Sequence, residues 1–164
     1  MNPILKYQQK IKKKTLIVDI ICGLLILLFA YAALSKLTDR QHFQAVLAQM
    51  LFIKYIAGFI SFALPVTELV VGALLLMPGT RLSGLYASLG LLIAFTLYIG
   101  YMILFAPKLP CNCGGVLEQM SWAQHLVFNL VFIALSAMAI ELYLSQKILL
   151  QHNSRPYSGL QGKS

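Results

Sequence analysis

Charge is scarce in this chain, and acidic charge is scarcest. Only 11% of the 164 residues are Asp, Glu, Lys or Arg, and five of those are acids. Soluble domains carry about 25% charged residues, so the composition excludes an ordinary water-soluble fold. Hydrophobic residues make up 59% of the chain and the mean hydropathy is +0.78, which describes an integral membrane protein. Cysteine is rare too: there are three, and only Cys111 and Cys113 stand close together. One close pair excludes a self-contained relay between two cysteine pairs on the same side. No cleavable leader followed by a soluble domain is evident, so the first apolar run is expected to be kept as a span. No internal repeat is strong enough to organise the chain.

What is present in excess is positive charge, with thirteen Lys and Arg and a net charge of +8. A nucleic-acid surface would be one use for it, but the apolar runs take precedence and no nucleic-acid partner is expected. The charge reads instead as an orientation signal. Lys6, Lys10, Lys12, Lys13, Lys14, Arg81, Lys147, Arg155 and Lys163 fall on one side of a four-span topology. Only Lys36, Arg40, Lys54 and Lys108 fall on the other. The positive-inside rule then puts both termini in the cytoplasm and the segment after Ala106 outside.

The apolar runs set the spans. Span 1 is expected over residues 16–34, close to the roughly 20 residues that cross a bilayer core. Cys22 within it reads as a small core residue, and Asp19 as solvated or paired with Lys14. Thr38 followed by Gln41 is a capping-box pattern. It predicts a short amphipathic helix along the external interface, with Phe43, Val46, Leu47 and Met50 as its apolar stripe and His42 solvated on or beside its polar face. Span 2 is expected over 51–77, with Lys54 reaching the interface. Pro65 is expected to kink it, because proline donates no backbone hydrogen bond. Glu68 follows, deep enough that its carboxylate must be neutral, carry protons or be paired. Three readings therefore stand for Glu68: a neutral hydrogen-bonding group, a proton carrier, or the partner of Arg81. The turn 77–81 leads into span 3 over 82–106, where Gly84 and Ser88 permit close helix contact. Ser121 with Gln124 repeats the capping-box pattern and starts span 4 at Trp122, an interfacial anchor. Span 4 is expected to continue to about Leu144. His125 and Asn129, four residues apart, share a face of it that should turn into the bundle.

Between spans 3 and 4 the sequence reads Pro107-Lys-Leu-Pro-Cys111-Asn-Cys113-Gly114-Gly115. A disulfide between Cys111 and Cys113 would close a very small ring, and strained exposed disulfides are the oxidising, labile ones. Gly114 and Gly115 free the backbone and let a partner approach. Thiol–disulfide exchange is one reading of this loop, with His125 stabilising a thiolate or moving a proton. A metal site on Cys111, Cys113 and His125, with His42 as a further ligand, is a second, although zinc sites usually space their cysteines more widely. A merely rigid loop is the third. Cys22, near the opposite surface, is too far away to join the pair.

These residues resemble the MauE/DoxX family of small four-helix membrane proteins over approximately 16–145. The resemblance rests on Ser35-Lys36-Leu37, on Pro65-Val-Thr-Glu68-Leu-Val-Val-Gly72, and on Cys111-Asn-Cys113-Gly114-Gly115 with Trp122, His125 and Asn129. The cysteine loop is similar to that of the redox-associated MauE-like branch. The resemblance implies an all-α membrane protein, a four-transmembrane-helix bundle akin to quinone-linked thiol oxidoreductases. It also implies association with methylamine utilisation and with disulfide formation beside a thioredoxin-like partner. DoxX-like relatives are linked to quinone-coupled sulfur oxidation.

The expectation is therefore a basic cytoplasmic arm (1–15), a four-helix domain (16–145) and a cytoplasmic tail (146–164) in a bacterial inner membrane. Cys111 and Cys113 are its candidate exchanging thiols, on the periplasmic side, and His125 tunes them. Quinone is the candidate electron carrier, with Trp122 and Asn129 as its contacts. Glu68 is the buried proton-handling group, while Pro65, Gly114 and Gly115 shape the backbone. The alternative is a non-enzymatic scaffold or assembly subunit whose cysteine loop only stiffens a docking element.

Overall fold

The computed structural model of the protein describes residues 3–48, 54–105 and 121–154. Five α-helices occupy almost all of this: α1 (Pro3–Thr38), α2 (Arg40–Ala48), α3 (Ala57–Leu76), α4 (Arg81–Phe105) and α5 (Trp122–Ser154). A 3₁₀ turn, Lys54–Ile56, precedes α3. Four stretches are long and apolar enough to cross a membrane: Ile11–Thr38, Ala57–Leu76, Arg81–Tyr101 and Ala123–Leu149. The chain is a multi-pass membrane protein, with lipid as the medium around it.

Two helices are longer than the sequence alone suggests. The 36 residues of α1 span about 54 Å at 1.5 Å per residue, well beyond a ~30 Å hydrocarbon core. The lysine-rich start is therefore the first turns of the same helix as span 1. Likewise α5 continues past Leu144 to Ser154. The two ends meet there, with Lys14 Nζ donating to Ser145 Oγ at 3.0 Å and Gln146 Nε2 to Thr15 Oγ1 at 3.4 Å. Lys14 is thus taken by α5.

The membrane helices pack as α1 on α3, α3 on α4, α4 on α5 and α5 on α1. From α1 the core takes Val18, Ile21, Cys22, Leu25 and Phe29, a single stripe at helical spacing. Val71 and Leu75 of α3, Leu85 and Leu92 of α4, and Ala139 and Ile140 of α5 complete it. Leu27, Phe59, Leu97 and Val127 are among the large apolar side chains left on the outside. In lipid such exposure costs nothing, because the solvent is itself apolar. Polar core residues mend their own helix: the Ser88 and Ser136 hydroxyls donate to the carbonyls four residues back, Gly84 and Phe132.

Connections are short where they are described. Asp39 alone separates α1 from α2, its amide donating to the Ser35 carbonyl at 3.2 Å and its carbonyl accepting from Phe43 at 3.1 Å. Thr38 does not cap α2 as its spacing with Gln41 predicts. It is still the last residue of α1 and donates its hydroxyl to the Leu34 carbonyl at 2.8 Å. Between α3 and α4, Thr80 closes the turn through its amide to the Met77 carbonyl and its hydroxyl to the Leu74 carbonyl. Here glycine allows the close approach of α3 and α4, since a Cβ on Gly84 would lie 3.0 Å from the Leu75 amide nitrogen. Pro65 sits inside α3, buried, and the helix runs on to Leu76. At the start of α5 the expected capping box is formed: the Ser121 amide donates to Gln124 Oε1 at 2.8 Å, and the Gln124 amide to Ser121 Oγ at 3.2 Å.

Candidate functional site

The bundle has two ends of different character. At one lie the start of the α1 span, the α3–α4 turn and the last turns of α5. At the other lie the end of α1, α2, the start of α3, the end of α4 and the start of α5. The candidate site is at the second end.

It is built around Glu68. This residue is completely buried and stands eight residues before Leu76, about 12 Å from that end of α3 at 1.5 Å per residue. Its partner is Lys36, whose Nζ lies 2.7 Å from Glu68 Oε1. This overturns one of the three readings of Glu68, the pairing with Arg81. Arg81 begins α4 at the opposite end of the bundle and binds Asp19 there, Nη1 to Oδ1, at 2.7 Å. The same contact replaces the expected pairing of Asp19 with Lys14. The physical reason is helix direction: side chains lean toward the N-terminus of their own helix. Lys36, two residues from the end of α1, therefore leans back into the bundle rather than out to the surface. A second contact marks that path, from Lys36 Nζ to the Ala32 carbonyl at 3.4 Å. Two aromatic rings flank the ammonium, with centroids at 5.4 Å (Phe95) and 6.0 Å (Phe43). Desolvated cation–π contacts of this kind favour a buried cation.

Beside the ion pair is a cavity of about 270 Å³. Phe43 and Leu47 of α2 form one wall, and α1, α3 and α4 contribute Phe29, Leu64, Leu92, Phe95 and Ile99 among others. His125, Phe128 and Asn129 close it from the first two turns of α5. The amide of His125 binds the Ser121 carbonyl at 3.0 Å, so its place follows directly from the capped helix start. Phe128 is braced by Phe132, with ring centroids 4.8 Å apart. Tyr98 also reaches the wall.

The polar groups of this cavity are not all satisfied. Glu68 Oε2 and Asn129 Nδ2 are buried and have no hydrogen-bond partner among the described residues. A buried unpartnered polar group costs about 1–3 kcal/mol, and more when charged. An acceptor and a donor, both unmet inside an apolar chamber, suit a small ligand with an apolar body and polar ends.

The candidate residues named from sequence divide accordingly. Glu68, His125 and Asn129 meet on one cavity. Trp122 opens α5, and its side chain lies outside the described residues, as does that of His42. Cys111, Cys113, Gly114 and Gly115 also lie outside them. Cys113 precedes Ser121 by eight residues, and Cys111 follows Phe105 by six. The chain that carries both thiols is therefore anchored to the cavity end. Cys22 is buried in the core with a free thiol. The residue whose role sequence reasoning missed is Lys36, counted there as an orientation charge and a motif residue but not as the partner of Glu68. A partial signal was available: of the cations, Lys36 stands at the end of an apolar run, within reach of the bundle interior.

The family model described as methylamine utilisation protein MauE matches residues 14–142. That stretch holds α3 and α4 whole and most of the first and fourth spans, with both ion pairs, the cavity residues and the cysteine loop. No curated protein matches the chain, and no solved structure does. The match covers most of the sequence, and the chain belongs to the MauE family.

Proposed function

We propose that this protein is a thiol–disulfide redox protein of the bacterial inner membrane. Cys111 and Cys113 exchange with a thioredoxin-like or substrate protein on the periplasmic side, and membrane quinone takes up the electrons. Both termini are cytoplasmic in this reading, as the lysine distribution favours. Methylamine utilisation, named in the family's description, is the setting in which such a partner would be matured.

The chemistry balances in two steps. A partner dithiol attacks the Cys111–Cys113 disulfide and passes through a mixed disulfide. It leaves as a disulfide, with Cys111 and Cys113 now reduced. The Cys111/Cys113 dithiol then transfers two electrons and two protons to a quinone, giving a quinol and restoring the disulfide. A small strained ring suits the first step because strain makes a disulfide easier to reduce. His125, on the cavity wall in the first turn of α5, is the group proposed to carry protons between thiol and quinone. Trp122 and Asn129 are the proposed quinone contacts, and Gly114 and Gly115 keep the loop open to a partner.

One observation carries the reading: the apolar cavity with its unmet donor and acceptor lies toward the end of the bundle at which α4 stops, at Phe105, and α5 starts, after Ser121. The test is a redox titration of Cys111/Cys113 in native membranes, read by thiol alkylation and mass spectrometry with and without added quinone. A reversible two-electron couple that is oxidised when quinone is added is expected. A pair locked as disulfide at all cellular potentials, or alkylated only after a chelator is added, would replace the reading with a rigid loop or a metal site respectively.

A further inference from the structure

Resting on the quinone reading, we infer that the cavity is built for the reduced form of its ligand, a hydroquinone head held between Glu68 and Asn129. The size is suitable: a cavity of about 150 Å³ holds benzene, and this one, at about 270 Å³, takes a substituted six-membered ring. Its wall is apolar apart from a few groups, and those groups decide which redox state fits.

Glu68 Oε1 is engaged by Lys36. Glu68 Oε2 faces no donor and Asn129 Nδ2 no acceptor among the described residues. Glu68 is fully buried and Asn129 is 4% exposed, so bulk water does not serve either. A quinone offers acceptors only. Its carbonyl oxygens satisfy Asn129, but they leave Oε2 bare and bring lone pairs toward a carboxylate. A hydroquinone supplies what is absent on both sides: one O–H donates to Glu68 Oε2, and a hydroxyl oxygen accepts from Asn129 Nδ2. A hydrogen bond to a charged acceptor is among the stronger ones available in such a site. Lys36 holds Glu68 through Oε1, at 2.7 Å, without occupying Oε2, which makes it a positioning residue.

The preference has a thermodynamic consequence. A site that binds quinol more tightly than quinone makes the bound quinone a stronger oxidant. The shift is about 30 mV for each tenfold ratio of affinities in a two-electron couple. The cavity thereby pulls electrons away from the thiols and favours disulfide formation.

The experiment uses the full chain with Cys111→Ser and Cys113→Ser, so that neither loop thiol turns over the ligand. Anaerobic calorimetric titration in lipid nanodiscs compares a decyl-substituted benzoquinone with its hydroquinone. At least tenfold tighter binding of the hydroquinone is expected. Equal affinity, or tighter binding of the quinone, overturns the inference and leaves the quinone reading standing. Binding of neither form overturns both. In the same background, the paired replacement Lys36→Met with Glu68→Leu removes both charges together, the change that buried pairs tolerate best. It should reduce the preference to less than twofold, while Asn129→Leu should weaken both forms. A preference that survives the paired replacement removes Glu68 from the role. If that variant does not fold, the comparison on the chain lacking Cys111 and Cys113 still decides the redox preference.

Discussion

The two ion pairs of this bundle have the same length and opposite surroundings. Arg81–Asp19 and Lys36–Glu68 both close at 2.7 Å. The Asp19 side chain is 47% exposed, while that of Glu68 is not exposed at all. Around Arg81 the end of the bundle is knitted shut. Thr80 bonds back to Leu74, Tyr143 to the Pro78 carbonyl, and Lys14 and Gln146 tie α1 to α5. Around Lys36 the helices stand off from one another and leave a chamber with two unmet polar atoms. The first pair is an interfacial clasp whose Asp19 carboxylate is open enough for water and headgroups to serve it, although Arg81 Nε is buried and unpartnered among the described residues. The second is buried: Lys36 has the Ala32 carbonyl besides Glu68, and Glu68 Oε2 has no hydrogen-bond partner among the described residues. The same contact is therefore dispensable at one end and indispensable at the other.

The largest effect should come from breaking the buried pair on one side only. Lys36→Leu leaves Glu68 as an uncompensated charge in the bundle, a change that typically costs about 3–5 kcal/mol. Denaturation in mixed micelles should show it, and Glu68→Leu added to Lys36→Leu should restore most of the loss. Were the single change harmless, Glu68 would not depend on Lys36 at all. Next in size is the closed end: Gly84→Ala sets a Cβ against the backbone of α3, and overpacking of this kind costs about 1–3 kcal/mol. The same assay should register it, with the α3–α4 turn exchanging its amide hydrogens faster. Ser121→Ala removes a cap at the open end, worth about 1 kcal/mol. Its signature is local, in faster hydrogen exchange at Gln124 and His125 and unchanged exchange at the far end of α5. The smallest effect belongs to Asp19→Asn. An exposed pair contributes at most about 1 kcal/mol, and its contribution should fade with added salt, since exposed charges are screened. A loss as large as that of Lys36→Leu would erase the distinction between the two ends.

Much of the fold was legible from composition and period alone. Four apolar runs of spanning length require four helices, because lipid offers no partner to an open backbone. The Ser121–Gln124 cap was readable because it is made between neighbours in sequence. So was the shared face of His125 and Asn129, which follows from 3.6 residues per turn. The Thr38–Gln41 cap was misread by the same rule. The spacing was present, but α1 continued through Thr38, and its hydroxyl stayed with the Leu34 carbonyl.

The residues alone thus established the membrane, the helices and the chemical inventory, since each of these depends on local periodicity or on the cost of charge in hydrocarbon. Which charges meet was decided only by the tertiary structure. Glu68 is paired with a residue 32 positions away, and Asp19 with one 62 positions away. Both choices depend on which helices are neighbours and on the direction in which each helix points its side chains. The cavity is of the same kind: no run of sequence encodes an empty volume. It exists because α2, the ends of α1 and α4, and the starts of α3 and α5 stand apart around the Lys36–Glu68 pair.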